Sequence, residues 1–258
     1  FAQPADAVLS YYFRNHRELG PRERSVVADT AYAVLRRKRF LEKLCGDKCS
    51  PRQLVLAALM RVQGNSQRHL ADVLSASEAK WHTEFKARPE PEFTSAEQCD
   101  LPDWLYDRLR TAMSEAQIQA LARSLNQPAP LDLRVNAFKA TREDVLAQLK
   151  ASGIDAVPCP YAPHAIRLKD KPALSRQALF EEGKVEVQDG GSQLLGHLLQ
   201  PKRGEMVADF CAGAGGKTLL LGALMRSTGR LYAFDVSDKR LAKLKPRLAR
   251  SGLSNVHP

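Results

Sequence analysis

The chain has 258 residues, of which 44% are hydrophobic and 26% are charged, and these values are typical of globular proteins and exclude wholesale disorder. The 39 Lys and Arg residues outnumber the 29 Asp and Glu residues, and the net charge of +10 favours a polyanionic partner because clustered cations release counterions from phosphates. Five scattered cysteines argue against a disulfide framework, and no apolar run approaches the ~20 residues of a membrane-spanning helix, so we expect a cytoplasmic protein without membrane attachment.

Helical periodicity characterises the chain from residue 4 to about residue 127, so we predict an all-α domain over residues 1–127. One apolar stripe runs from Ala5 to His16 and a second from Val27 to Leu44. Ser50, followed by Pro51 and Gln53, has the pattern of a helix start. Further helices are predicted over 52–63, 67–75, 102–111 and 114–125, with a polar connection near 83–100.

The second predicted helix carries a line of basic residues with one aromatic residue. Tyr32, Arg36, Arg39 and Lys43 are spaced by four, three and four residues, with Arg37 beside them. Arg36, Arg37 and Arg39 are therefore candidates for phosphate contacts with RNA, with Tyr32 available to stack on a base. A solvated helix face is the alternative interpretation, and the sequence leaves both open.

The two cysteines closest in sequence are Cys45 and Cys49, four residues apart. A structural zinc site needs a second pair of Cys or His ligands, and none lies nearby at ligand spacing. We therefore predict no metal site and interpret these residues as free thiols near a helix end.

Residues 126–130 form a linker, since Pro128 and Pro130 oppose helix continuation. The residues from Leu131 to Asn136 then alternate apolar and polar, as in a half-buried strand. A helix from Thr141 to Gly153 and extended segments near 154–168 and 184–188 complete the pattern. We predict a small α+β module over 128–183, ferredoxin-like or RNA-recognition-like, in which Arg134 and Asn136 are either RNA contacts or ordinary polar residues on the strand surface.

The remaining residues, 184–258, contain a βαβ unit. A helix with Leu194, Leu195, Leu198 and Leu199 on one side precedes a strand over 206–210, a glycine turn and a second strand that ends at Asp235. Glycines at 213, 215 and 216 permit left-handed angles and close approach of a ligand, and the next helix offers free N–H groups to an anion. Asp235 stands where a carboxylate can accept both ribose hydroxyls, so we predict a nucleoside ligand with an anionic group.

The pattern around the glycine turn narrows the choice of nucleoside. A Walker loop would require glycine at position 211, which is Cys, and a dinucleotide fingerprint would favour glycine at position 218, which is Thr. The loop that remains, with small residues at 212–216 after Asp209, suits S-adenosylmethionine. Spacing alone does not exclude a nicotinamide nucleotide.

Three motifs occur together in this half of the chain: the run Asp209–Thr218, the preceding Gln188-Asp189-x-x-Ser192, and Asp235-Val-Ser237-x-x-Arg240-Leu241. Together they resemble the RNA cytosine-5 methyltransferases of the RsmB (Fmu)/NOL1/NSUN family. The segment from Glu18 to Arg37 is similar to the NusB-like RNA-binding domain of the bacterial branch, which modifies small-subunit ribosomal RNA. The resemblance implies a multidomain fold: an all-α NusB-like N-terminal domain, a small α+β RNA-recognition-like module, and the first part of an α/β Rossmann-like methyltransferase domain.

The resemblance also implies the cofactor, S-adenosyl-L-methionine, and a monomer that acts on ribosomal RNA. The positions that match the cofactor motif are Cys211, Ala212, Gly213, Ala214, Gly215, Gly216, Lys217 and Asp235. The family usually has Ala-Pro where this chain has Gly213-Ala214.

The chemistry that the resemblance implies lies outside this chain. In the family, three functional residues follow the position of Pro258: the nucleophilic cysteine that attacks carbon 6 of cytosine, its partner cysteine and the acid that faces the adenine. We therefore predict no catalytic residue in this chain. We also predict a C-terminally truncated domain with an unpaired sheet edge. Cys211 is expected to pack beneath the turn, and Pro246 to kink the last helix. A non-catalytic RNA-binding or assembly protein that keeps this fold is the alternative function.

Overall fold

The structure is a computed structural model and describes residues 3–46, 48–174 and 177–258. The chain divides into two compact units, the first ending at Pro128 and the second running from Ala129 to Pro258. The predicted boundary at residue 183, between the α+β module and the cofactor-binding domain, falls inside the second unit. Among the described residues, no helix has the length and apolar composition to cross a membrane.

The first unit is built from α-helices. Their bounds are α1 Ala5–Asn15, α2 Pro21–Arg36, α3 Lys38–Cys45, α4 Pro51–Arg61, α5 Gln67–Leu70, α6 Ala76–Ala87, α7 Ser95–Gln98, α8 Asp103–Arg110 and α9 Glu115–Leu125, with a 3₁₀ turn at Ala71–Val73. Ser50 forms the expected capping box with Gln53, each side chain bonding the other residue's backbone N–H at the start of α4.

Two of the predicted boundaries in this unit were wrong. The second apolar stripe belongs to two helices, α2 and α3, because the chain leaves helical geometry at Arg37. The polar connection near 83–100 begins inside α6, which starts at a capping box of Ser75 and Glu78. The buried residues of α6 are His82 and Phe85, and because one of them is polar, the apolar periodicity of this helix is weak.

The first unit has two hydrophobic clusters. One joins α3, α4 and α6 through Leu41, Leu44, Ala57, Ala58 and Phe85. The other joins α7, α8 and α9 and consists of Ala96, Cys99, Leu101, Tyr106, Ile118 and Ala122.

The second unit begins with an antiparallel sheet in the order β2-β3-β1-β4. Its elements are β1 Leu131–Val135, α10 Arg142–Ala151, β2 Ala156–Pro158, β3 Ala165–Leu168, α11 Ala178–Glu181 and β4 Val185–Val187. This βαββαβ succession with β1 and β3 in the centre is the ferredoxin-like arrangement, so the predicted α+β module is confirmed. We refer to residues 129–187 as the module.

The module's core lies between its sheet and α10. Leu133 and Val135 of β1 pack with Val145 and Leu149 of α10, and these side chains are buried. Thr141 caps α10 by accepting a bond from the backbone N–H of Asp144 at 3.1 Å. The opposite face of β1 carries Asp132, Arg134 and Asn136, which are buried as well. The prediction of a half-buried strand was therefore wrong, because a second layer covers the polar face.

That second layer is formed by the part of the chain that follows the module. Its elements are α12 Gly190–Leu199, β5 Met206–Asp209, α13 Gly216–Leu224, β6 Arg230–Ala233, α14 Asp238–Leu241, α15 Leu244–Ser251 and β7 Val256–His257. The strands are parallel in the order β5-β6-β7, as the predicted βαβ unit requires. We refer to residues 190–258 as the cofactor layer.

Two details of the cofactor layer differ from the prediction. Leu195, Leu198 and Leu199 of α12 are exposed, Leu198 to 77%, and the helix packs instead through Gln193 and Gly196. A Cβ on Gly196 would lie 2.4 Å from Leu220 Cδ2, so this helix approaches α13 through its small residue. The last helix is not kinked at Pro246; it is divided into α14 and α15 before it, and Pro246 occupies the first turn of α15, where its missing N–H has no helical acceptor to lose.

Candidate functional site

The candidate site is the loop that connects β5 to α13. Gly215 ends this loop with φ of +82°, and a Cβ at this position would lie 2.1 Å from Leu244 Cδ1. Both the left-handed backbone and the close approach of α15 therefore require glycine here. Helix α13 starts at the next residue and is anchored by a run of buried side chains that includes Leu219 and Leu220.

The start of α13 offers hydrogen-bond donors. Within the described residues, the backbone N–H groups of Gly216 and Lys217 have no protein acceptor, as expected for the first turn of a helix. These donors and the positive end of the helix dipole suit a carboxylate or phosphate. The side chain of Lys217 is exposed, so its ammonium is accessible to a ligand or to solvent.

Asp235 follows β6 and reaches back to the loop. Its Oδ2 accepts a bond from Gly213 N at 2.8 Å and its Oδ1 accepts one from Ser237 N at 2.9 Å. These bonds, that of Ser237 first, and the nearby guanidinium of Arg240 lower the pKa of Asp235, which is therefore ionised at neutral pH. The side chain of Asp235 is only 3% exposed, and Arg240 Nη1 lies 3.7 Å from its Oδ2. The bond from Gly213 N to Asp235 holds the loop against the end of β6. Each carboxylate oxygen accepts one backbone N–H and keeps a second lone pair.

Thr218 has a structural role of its own. The side chain is fully buried, and its hydroxyl donates to Asp209 Oδ2 at 2.7 Å. This bond ties the end of β5 to the first turn of α13. A glycine at position 218, as in a dinucleotide fingerprint, would remove it.

The expected position of Cys211 was wrong. Cys211 is exposed and does not pack beneath the turn. Ala212 takes that place: its side chain is buried in the cofactor layer, and its N–H donates to Phe234 O at 2.8 Å. Ala214 lies between the two left-handed glycines of the loop and is partly buried.

The carbonyl side of the loop is held by two arginines that the sequence analysis did not connect with the loop. Arg134 of the module donates to Gly216 O and to Gln188 Oε1, the latter at 2.5 Å. Arg247 of α15 donates to Ala214 O at 2.6 Å. Burial lowers the pKa of Arg134 to about 10, partly offset by the charge of Glu186, so its guanidinium stays protonated at neutral pH.

Arg134 and Asn136 are therefore not surface contacts for RNA. Arg134 is 2% exposed, and the Asn136 side-chain amide donates to the backbone oxygens of Gly183 and Ser251, each at 3.0 Å. Both residues face the cofactor layer. Alternation along β1 was a correct signal for a polar face, but it did not show that protein covers that face.

In the first unit, two of the three candidate RNA-binding arginines have acidic partners. Arg37 Nη1 lies 2.7 Å from Asp100 Oδ2, and Arg39 Nη2 donates to Asp103 Oδ1 at 2.7 Å. Arg36 is half-buried and forms no ion pair with any described residue. These pairs bind Arg37, between α2 and α3, to Asp100 and bind α3 to the first residue of α8, so the role of the three arginines toward RNA stays a prediction.

The described residues contain no group of three or more His, Cys, Asp or Glu side chains that could hold a metal ion. The site is therefore characterised by backbone donors, one ionised carboxylate and an exposed lysine. This donor set fits the amino-acid carboxylate and the ribose hydroxyls of a nucleoside cofactor.

Comparison with known proteins finds two family models that match parts of this chain. Residues 101–175 match the ferredoxin-like domain of RsmF/B-like methyltransferases, and residues 196–257 match the 16S rRNA methyltransferase RsmB/F model. The two matches include most of the module and nearly all of the cofactor layer.

Curated relatives and a solved structure agree with these matches. The probable ribosomal RNA small subunit methyltransferase B of Synechocystis is 34% identical over 161 residues, which are 62% of this chain and 36% of that protein. Its counterpart in Bacillus subtilis is 28% identical over 218 residues, 84% of this chain and 48% of that protein. The crystal structure of PH0851 superposes with a TM-score of 0.74 at 24% identity, covering 99% of this chain and 65% of that one, and shows the shared fold. The chain thus spans less than half the length of these two curated relatives.

Proposed function

We propose that the chain belongs to the RsmB/NOL1/NSUN family of methyltransferases and that the whole protein methylates carbon 5 of a cytidine in small-subunit ribosomal RNA. The cofactor is S-adenosylmethionine. The observation that carries the proposal is the loop between β5 and α13, which joins a left-handed Gly215, unpaired N–H groups and the ionised Asp235.

We assign the cofactor to this loop. The N–H groups of Gly216 and Lys217 would hold its carboxylate, and the free lone pairs of Asp235 would accept its ribose hydroxyls. The side chains from Ala212 to Gly216 are small, which permits a close approach of the backbone and the cofactor, with Cys211 and Lys217 at the two ends of the loop. Bound there, the cofactor supplies an electrophilic methyl group.

The residues of this chain bind and orient rather than react. Carbon 5 of cytosine becomes nucleophilic when a cysteine adds to carbon 6, and the family resemblance assigns that cysteine to sequence after Pro258. Burial raises the pKa of the thiols of Cys45, Cys99 and Cys159, which keeps them protonated and weakly nucleophilic. We therefore assign no catalytic role to these three cysteines.

Calorimetric titration of the full-length protein with S-adenosylhomocysteine tests the assignment of the loop. Asp235→Ala removes the acceptor for Gly213 N and for the ribose, and we expect at least tenfold weaker binding. Asp238→Ala, a change of an exposed acid in the first turn of α14, is the matched control and should bind like the wild type. Equal affinities of Asp235→Ala and wild type would contradict the assignment.

The reaction itself is tested by methyl transfer from labelled S-adenosylmethionine to small-subunit ribosomal RNA, with the position of the label identified by nuclease digestion. Label on carbon 5 of a cytidine supports the proposal. RNA binding without methyl transfer would favour the non-catalytic assembly protein.

We also propose that Arg36, Arg37 and Arg39 contribute to RNA binding. Since Arg37 and Arg39 are ion-paired, Arg36→Ala is the cleanest variant, and loss of one phosphate contact should reduce the slope of log affinity against log salt by about 1. Arg52→Ala, which removes an exposed arginine paired with Glu78, is the control. An unchanged slope for Arg36→Ala would remove this residue from the interface.

A further inference from the structure

The polar face of the module's two neighbouring strands forms a buried contact with the cofactor loop. Arg134 of β1 and Glu186 of β4 are directly paired in the strand register, and both are almost fully buried. A buried charge is retained only where it is paired and hydrogen-bonded, so the partners of these two residues are required by the fold.

Arg134 holds the carbonyl at the beginning of α13. Its Nη1 donates to Gly216 O and to Gln188 Oε1, and the buried Nε has no partner among the described residues. Gln188 is held in turn, because its carbonyl oxygen accepts from the Gln193 amide at 3.0 Å. The guanidinium is thus fixed in one orientation by Gln188, which directly follows β4, and by Gly216 of the cofactor layer.

Glu186 holds a second carbonyl of the same loop through Arg247. Glu186 Oε2 accepts from Arg247 Nε and Nη2 at 3.1 and 2.9 Å, and Oε1 accepts from Arg250. The remaining Nη1 of Arg247 donates to Ala214 O. Gly215 therefore lies between two carbonyls that are both held by arginines and that depend on adjacent strands of the module.

Fixing a carbonyl also fixes the N–H of the same peptide. A peptide unit is planar and trans, so its C=O and N–H point in opposite directions. The carbonyl of Gly216 shares its peptide with the N–H of Lys217, one of the unpaired donors at the start of α13. With Gly216 O held by Arg134 on the module side, Lys217 N–H is directed to the opposite side of the peptide.

We propose that Arg134 is a positioning residue for the cofactor: it acts through the Gly216–Lys217 peptide and orients the donor that receives the cofactor's carboxylate, without touching the cofactor. This inference rests on the proposed assignment of the loop as the cofactor site. It makes the module a structural part of that site.

The test compares two ligands of the full-length protein by calorimetry. S-adenosylhomocysteine carries the amino-acid carboxylate, whereas 5′-deoxy-5′-methylthioadenosine has the same adenosine and a thioether but no carboxylate. Arg134→Met should weaken S-adenosylhomocysteine binding at least tenfold and methylthioadenosine binding less than twofold. A residue that only stabilises the fold would not distinguish the two ligands.

Arg134→Lys is the second variant, in case the methionine variant does not fold. Its ammonium ends one bond short of Nη1 and keeps the positive charge, so we expect the same ligand-selective loss at an intermediate size. Arg167→Met is the matched control, because Arg167 pairs with Asp132 on the same face of the sheet but does not contact the loop. It should bind both ligands like the wild type.

The outcomes separate this inference from the assignment of the loop. Wild-type affinity of both Arg134 variants for S-adenosylhomocysteine, or an equal loss for the two ligands, would overturn the positioning role. Wild-type affinity of Asp235→Ala would instead overturn the loop assignment itself.

Discussion

Replacement of Gly215 by alanine measures how strongly the cofactor loop is constrained. The residue has φ of +82°, and the left-handed conformation costs a non-glycine residue about 1–2 kcal/mol. The new Cβ would also lie 2.1 Å from Leu244 Cδ1, and overpacking of this kind costs about 1–3 kcal/mol. We therefore expect Gly215→Ala to lower the free energy of unfolding by about 2–5 kcal/mol.

Two control variants separate these contributions. Gly153 has φ of +72° and open space around its Cβ position, so Gly153→Ala should show the backbone cost alone, about 1–2 kcal/mol. Gly196 has no left-handed backbone, but its Cβ would meet Leu220, so Gly196→Ala should show a packing cost of about 1–3 kcal/mol, reduced by the ~1 kcal/mol that alanine gains over glycine inside α12.

Urea denaturation of the three variants gives the free energies to compare. If Gly215→Ala destabilises no more than Gly153→Ala, Leu244 moves aside without cost and the packing argument is refuted. If Gly215→Ala has no effect, the left-handed geometry of the loop is refuted as well.

Three further perturbations test other parts of the structure. Glu186→Gln removes the buried charge between two arginines and should destabilise the protein by about 3 kcal/mol in urea denaturation. The ring nitrogens of His164 and His197 lie 3.3 Å apart. Burial lowers the pKa of both histidines below the usual value, and for His164 the neighbouring His197 lowers it further. As the pH falls, the unfolded chain therefore takes up protons before the folded protein does, so thermal stability should decrease below about pH 6.5. Ser75→Ala removes the cap of α6 and should cost about 1 kcal/mol in the same denaturation assay.

Each of these perturbations has a control. Glu182→Gln changes an exposed acid of the same segment and should leave stability within about 0.5 kcal/mol. His197→Gln should reduce the pH dependence between pH 7 and 5, and an unchanged profile would exclude the histidine pair as its source. A loss for Ser75→Ala no larger than that of the exposed Ser124→Ala would show that the cap does not stabilise α6.

The sequence predicted the features of this fold that local physics determines. Alternation identified β1, the cap at Thr141 and the glycine at 153 bounded α10, and the glycine turn between two strand ends located the site. Each of these signals arises within a few neighbouring residues. These signals can therefore be read from the sequence without knowing which distant segments pack against the elements.

The errors arose where a distant segment decides the outcome. Alternation showed that Arg134 and Leu133 face opposite sides of β1. A polar strand face is expected, however, whether water, RNA or another layer of the protein covers it, so alternation did not identify what covers this face. The leucines of α12 predicted that their side of the helix would be packed. Three of them are exposed instead, because α13 packs against α12 at Gly196, where no Cβ is present. Arg247 gave no signal either, since an arginine on a helix has the same pattern whether it is solvated or bound to a loop carbonyl.

The burial of β1 on both faces has a consequence for protein engineering. Five consecutive residues serve the hydrophobic core of the module with the side chains of Leu131, Leu133 and Val135, and the cofactor layer with those of Asp132 and Arg134. A one-residue insertion in this strand would exchange the two sets and disrupt both layers at once. Chimeric proteins that exchange the module between relatives should therefore move it together with the loop and α15, because Arg134 of the module and Arg247 of α15 both bind carbonyl oxygens of the loop.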